Sequence, residues 1–139
     1  MNIKDTKRFI LAGNATITVK SLATERRYTF KITRTKFDDN AYFIALLGGP
    51  DNNVDYRYMG MMYATADNPW YCRLTAKSPV GAATTAWQAW NWFMRGVDYG
   101  YGLEACDWWH EGACGACGRK LTVPESIDQG LGPVCAGRV

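Results

Sequence analysis

The chain has 139 residues, 47% of them apolar and 14% aromatic, and a net charge of only +3. That is a single-domain length with ample material for a core, far from the composition of disordered chains. No stretch approaches the roughly 20 apolar residues that span a bilayer, and Phe9-Ile10-Leu11-Ala12 is too short for a signal peptide. The composition therefore points away from a membrane and toward a reducing cytoplasm. There five cysteines, an odd count, indicate metal binding or free thiols rather than a disulfide framework.

The small net charge hides a split. Residues 1–37 carry nine basic and two acidic side chains, net +7, while the remainder carries seven and eleven, net −4. A basic segment of this kind suits an anionic partner, unless acidic neighbours neutralise it in the fold.

In chain order, Ala15 to Val19 and Arg27 to Thr33 alternate apolar and polar residues. Period-two patterning rich in threonine and aromatics predicts half-buried strands. The short polar link from Ser21 to Arg26 predicts that they pair as a hairpin, with threonines and basic residues facing water. Tyr42 to Leu47 reads as a buried strand ended by the Gly48-Gly49-Pro50-Asp51 turn, and Tyr56 to Tyr63 as a fourth strand. A short fifth strand is expected over Tyr71 to Thr75, after the break at Asn68-Pro69.

Ser78-Pro79 has the form of a helix start, and Gly96 that of a stop after Arg95. Within that span Ala83, Trp87, Trp90 and Met94 share one face, and Trp92 and Phe93 widen it, so the helix is expected between the sheet and the C-terminal segment. The predicted fold is α+β, a mainly antiparallel sheet of about five strands on one Trp-rich helix. The body is expected over 1–104, with a treble-clef-like zinc knuckle over 105–139 packed on it as one unit.

The ending reads His110-x3-Cys114-x2-Cys117-x17-Cys135. A Cys-x2-Cys pair curls the backbone so that two thiolates meet one metal, and glycines at 115 and 118 suit a tight knuckle. A later ligand closes the site, which identifies a structural Zn²⁺ held by Cys114, Cys117 and Cys135. The fourth ligand is expected to be His110, the single histidine, with Cys106 as its rival; Cys72 reads as a small buried hydrophobe.

The stretch from Trp109 to Ala136, with its Cys-Gly-x-Cys-Gly-Arg-x-Leu-Thr and Gly-x-Gly-Pro-x-Cys motifs, resembles an uncharacterised family of small phage and prophage proteins. Residues 9–16, Phe-Ile-Leu-Ala-Gly-Asn-Ala-Thr, are similar to the start of the same proteins. The resemblance implies a phage-related origin, a bacterial host cytoplasm and a zinc-binding C-terminus, and it brings no established activity.

Catalysis has little to stand on. One histidine leaves no Ser-His-Asp or Cys-His arrangement, and Gly48-Gly49-Pro50 lacks the Lys-Ser/Thr of a phosphate loop. Asp51 and Asp55 sit in a turn, where aspartate is favoured for backbone reasons. Glu111 is the only candidate base near the metal, and His110-Glu111 departs from the deaminase spacing. The expectation is therefore non-enzymatic, against the alternative of a zinc-dependent hydrolase or deaminase-like protein. The partner expected is nucleic acid, held by Lys20, Arg27, Lys31 and Arg34, with Tyr56 or Tyr58 stacking on bases. The rival is a protein-binding inhibitor or adaptor of host or defence machinery, anchored by surplus aromatics. Trp108 and Trp109 cannot both point inward from an extended segment.

Overall fold

The computed structural model describes residues 1–51, 54–64, 84–138 and the backbone of 72–73. Helix α1 (Ile3–Ile10) comes first, followed by strands β1 (Asn14–Ser21), β2 (Arg27–Arg34), β3 (Ala41–Leu47), β4 (Tyr56–Tyr63) and β5 (Cys72–Arg73). Helix α2 (Thr85–Tyr99), strand β6 (Cys106–His110) and the short helices α3 (Pro124–Gln129) and α4 (Pro133–Ala136) complete the order. The sheet is antiparallel in the order β5-β4-β3-β2-β1-β6, the α+β architecture that the patterning predicts.

The five expected strands form, and a sixth joins them. Strand β6 lies beside β1, with Ile17 opposite His110 and Val19 opposite Trp108. The boundary expected at residue 105 therefore falls at the edge of the sheet itself, and the cysteine-bearing segment begins only after His110. Along β6 the consecutive tryptophans part. Trp108 packs on Phe93 at 5.7 Å between ring centres and donates its indole N–H to Thr6 Oγ1 at 2.7 Å, while Trp109 faces out, 38% exposed.

Alternation along the strands sends Ala15, Ile17, Val19, Phe30, Ile32, Tyr42 and Ile44 to one face, where they are buried. Trp87, Trp90, Phe93, Met94 and Val97 of α2 cover that face together with Phe9 and Ile10 of α1. Trp90 meets Phe30 at 4.9 Å between ring centres. At about 1.5–3 kcal/mol per fully buried large apolar side chain, this layer supplies most of the drive to fold.

Helix α2 differs from its expected limits. The Ser78-Pro79 start, Ala83 and the Asn68-Pro69 break lie outside the described residues. The described helix begins at Thr85, where the Thr84 hydroxyl accepts from Trp87 N–H, and it runs through Gly96 to a left-handed cap at Gly100. Gly96 does not stop the helix, and its glycine serves packing instead: a Cβ there would lie 2.3 Å from Leu103. Nor is the cysteine segment the element on its far side. Helix α1, started by Asn2, whose side chain accepts from Asp5 N–H, packs against α2 on one flank and α3 on the other.

Among the described residues no helix is long and apolar enough to cross a membrane.

Candidate metal centre and the open sheet face

Residues 112–121 fold back on themselves. Leu121 N–H donates to Gly112 O at 2.7 Å, Cys114 N–H to Arg119 O at 2.8 Å, and Gly118 N–H to Cys114 O at 2.8 Å. The reversal needs a left-handed residue, which Gly118 supplies at φ +79°. This knuckle aims Cys114 and Cys117 at one point. The turn into α4 brings Cys135 to the same point, and Arg8 of α1 holds that helix by donating to Ala136 O at 2.8 Å.

The three sulfurs lie within 4.8 Å of one another. Thiolates bound to one tetrahedral zinc at about 2.3 Å stand roughly 3.8 Å apart, so this donor set fits a metal ion. Cys114 is buried, Cys135 half-buried and Cys117 exposed. The cysteines open onto a cavity of about 400 Å³ that Arg119, Val134 and Arg138 also line.

The backbone prepares this site for a metal. Cys114 Sγ accepts N–H bonds from Gly132 at 3.3 Å and Ala116 at 3.4 Å. Burial pushes the Cys114 thiol up, but these amides, with the Cys117 backbone and side chain, outweigh it and bring it down to about 7. Cys135 moves the other way. Its hydrogen bonds to Cys117 and Cys114 hold its proton, and its thiol is raised to about 11.

Residues 110–139 match a family of unknown function, DUF6011. The matched family segment spans all three clustered cysteines and starts at His110. No curated protein and no solved structure matches the chain.

The fourth ligand expected from sequence is not among the clustered groups. His110 Nδ1 accepts from Gly112 N–H at 2.8 Å, so Nε2 carries the proton and donates to Ile127 O. The imidazole ties the knuckle to α3 and rests on Phe9 at 5.4 Å, which makes it a brace of the family segment rather than a member of the sulfur cluster. The rival Cys106 faces the core from β6, its thiol donating to Leu103 O at 3.6 Å. Burial and the neighbouring Asp107 charge push that thiol up to about 11, and its place in the core keeps it out of the sulfur cluster. The side chain of Cys72 lies outside the described residues.

The basic residues divide by strand parity. Lys20, Arg27 and Lys31 all point to the face opposite the helices, with Lys20 paired to Arg27 and Lys31 to Thr16. Among the described residues no carboxylate is in salt-bridge contact with these three, though Asp107 stands across from Lys20. Arg34 does not join them. It has the parity of Phe30 and Ile32, and its guanidinium donates to Leu11 O at 2.7 Å and Tyr42 Oη at 3.3 Å, tying β2 to the end of α1.

Aromatic and apolar side chains share the open face with these cations. Phe43, 39% exposed, stands edge-on to Tyr58 at 6.1 Å and to Phe37 at 6.2 Å. The Lys31 ammonium lies over the Tyr56 ring at 5.6 Å, so Tyr56 is half-buried beneath a cation rather than free to stack, as the sequence suggested. Its hydroxyl is buried, close to Thr16 but not in hydrogen-bonding geometry; burial and the charge of Glu111 raise its pKa. The sequence singled out Trp109 and Glu111 but not Phe43, and it could not set the three on one face with Lys31, because strand pairing does that.

Glu111 lines two recesses of this face and not the cavity of the cysteines. The larger, about 860 Å³, also has Thr18, Arg27, Thr29 and Trp109 in its walls. The smaller, about 260 Å³, holds Asn14, Thr16, Lys31, Tyr56 and Gly118. Asp55 is occupied as expected of a turn residue, accepting from Asp51 N–H at 2.7 Å.

Proposed function

We propose that this chain is a non-enzymatic, zinc-stapled module that binds single-stranded nucleic acid on its open sheet face. The observation that carries the reading is the sharing of one face by Lys20, Arg27 and Lys31 with Phe43, Tyr58 and Trp109. Cations that track phosphates beside rings that take bases form the general design of single-strand binders. A sheet face uncovered by helices among the described residues leaves room for splayed bases, which a duplex does not offer. The metal, read as structural Zn²⁺ on Cys114, Cys117 and Cys135, would lock the knuckle and its family segment onto α1. Placement of Glu111 away from the sulfurs, and engagement of both His110 nitrogens, favour a structural over a hydrolytic metal. The resemblance at both ends of the chain supports an accessory protein of phage origin at work in a bacterial cytoplasm.

The test is fluorescence anisotropy of zinc-loaded protein with single-stranded DNA, duplex DNA and RNA at about 50 and 200 mM salt, the range over which phosphate contacts lose affinity. Single-strand binding that weakens steeply with salt supports the reading. The triple variant Lys20→Glu, Arg27→Glu, Lys31→Glu should abolish it at unchanged zinc content, and survival of binding would rule this face out.

A second reading has its own observation, on the helix side. Trp92 and Tyr99 lie seven residues apart on the outer face of α2, 41% and 59% exposed, and Tyr101 stacks on Tyr99 at 5.9 Å. Such a patch suits a protein partner, as an inhibitor or adaptor of host or defence machinery would need. Binding there would be nearly indifferent to salt.

A further inference from the structure

We propose that Glu111 reads the Watson–Crick edge of a guanine in the bound strand, within the smaller recess it shares with Lys31 and Tyr56. The inference rests on the nucleic-acid reading above and deepens it. Among the described residues the open face carries two acids: Asp107 stands across from Lys20, and Glu111 alone lines the recess with Lys31 and Tyr56, so whatever faces its carboxylate there must not be a phosphate. A carboxylate only accepts hydrogen bonds, through two oxygens side by side. The matching partner presents two adjacent donors, and guanine alone among the common bases does so, with N1–H and N2–H₂ on one edge. Adenine and cytosine present one amino group next to a bare ring nitrogen. Thymine and uracil present one N–H flanked by two carbonyl oxygens, which the carboxylate repels.

The rest of the recess completes the match. Beside its two donors guanine carries an acceptor, O6. The recess offers two donors of its own, the Lys31 ammonium and the Tyr56 hydroxyl. That hydroxyl is buried and has no hydrogen-bond partner among the described residues, an exception that marks a bond left for water or ligand to close. Thr16 and the exposed Asn14 stand at the same recess and add polar reach. Across Glu111, in the larger recess, Trp109 offers an exposed indole for the neighbouring base, with Arg27 near its phosphate. A reader on one side of the carboxylate and a stacking ring on the other would fix the register of the strand.

The experiment uses full-length, zinc-loaded protein and four labelled thymidine oligomers of equal length that differ only in the central base, G, A, C or T. Equal length holds the phosphate contacts constant, so differences report the base. Guanine should bind about tenfold tighter than the others, the effect of one good bidentate pair. Inosine, which lacks the N2 amino group, should lose most of that advantage. Glu111→Gln should level the four affinities without weakening the all-thymidine oligomer, since its amide sets a donor against N1–H. Unchanged zinc content would show that this exposed substitution leaves the fold intact. Equal affinity for all four oligomers in the native protein would overturn guanine reading while leaving single-strand binding in place. No binding of any oligomer even at about 50 mM salt, where phosphate contacts are strong, would overturn both together.

Discussion

Phe9 and Gly130 meet where the first helix joins the cysteine segment: a Cβ on Gly130 would lie 2.4 Å from Phe9 Cδ1. Gly130 also caps α3 in the left-handed region at φ +74°. Gly130→Ala therefore meets two penalties, backbone strain and overpacking, and should destabilise the fold by about 1–3 kcal/mol. Phe9→Ala should cost about 3–5 kcal/mol as a buried aromatic truncation. Both changes should weaken zinc retention, although neither residue touches the sulfurs. Thermal melts with a chelator competition check this; unchanged zinc affinity in both would separate α1 from the metal site.

The three sulfurs and the braced histidine make contrasting predictions. Cys117→Ser should lower zinc content and stability together, because structural zinc sites contribute roughly 10–16 kcal/mol, more than most small domains possess in total. His110→Ala should keep one zinc per chain while losing about 1–3 kcal/mol with the bonds to Gly112 and Ile127. Metal analysis of the purified variants decides; loss of zinc on removing His110 would return it to the ligand set.

Zinc uptake should release more protons as the solution becomes more acidic. Cys114, held down at about 7, is mostly thiolate at pH 8 and mostly thiol at pH 6. Cys135, raised to about 11, is a thiol at both and gives up its proton to the metal in either case. The extra release therefore falls between these two pH values and comes from Cys114. Calorimetry in buffers of differing ionisation enthalpy counts the protons, and equal release at both would refute the low Cys114 value.

Arg34 and Lys31 should behave differently despite lying three residues apart on one strand. Arg34→Ala removes bonds to Leu11 O and Tyr42 Oη and should cost about 1–3 kcal/mol in stability, with little change in nucleic-acid affinity. Lys31→Ala should leave the melting temperature nearly unchanged and weaken binding with a shallower salt slope. Equal effects of the two on binding would mean that the helix-side end of β2 also meets the ligand.

The strands were legible where apolar and polar residues alternate, as in β2, because the period of two maps directly onto one covered and one open face. In β4 a register shift opposite Ile44 and Ala45 interrupts that period and buries Met59 and Gly60 in succession. Strand β6 was not legible. With one tryptophan facing in and the next facing out, its hydrophobicity does not alternate, and only pairing with β1 makes it a strand. Helix α1 was hidden for a related reason: its eight residues are short and half of them charged, and the helix stands through contacts with residues more than ninety positions away. The three cysteines were legible because their chemistry is written in local spacing. His110 stands apart from the three sulfurs, because proximity in sequence says nothing of direction, and its ring turns to Ile127. Arg34 shows the same limit, since charge gives a residue's type and only strand parity gives its face.

The pairing of β6 with β1, and of Phe9 with the glycines of the cysteine segment, bears on how the molecule is made. Strands β1 to β4 leave the ribosome in an order that lets each zip to the one before it. The other edge of β1, and the ring of Phe9, must wait for residues 106–130. Until then the nascent chain displays an unsatisfied strand edge beside a bare aromatic, the condition under which chains pair with the wrong neighbour. A product broken off before Cys106 would stay in that state. Docking of β6 and of the knuckle over α1 thus ends the exposure of that edge and that ring late, through residues more than ninety positions from Phe9.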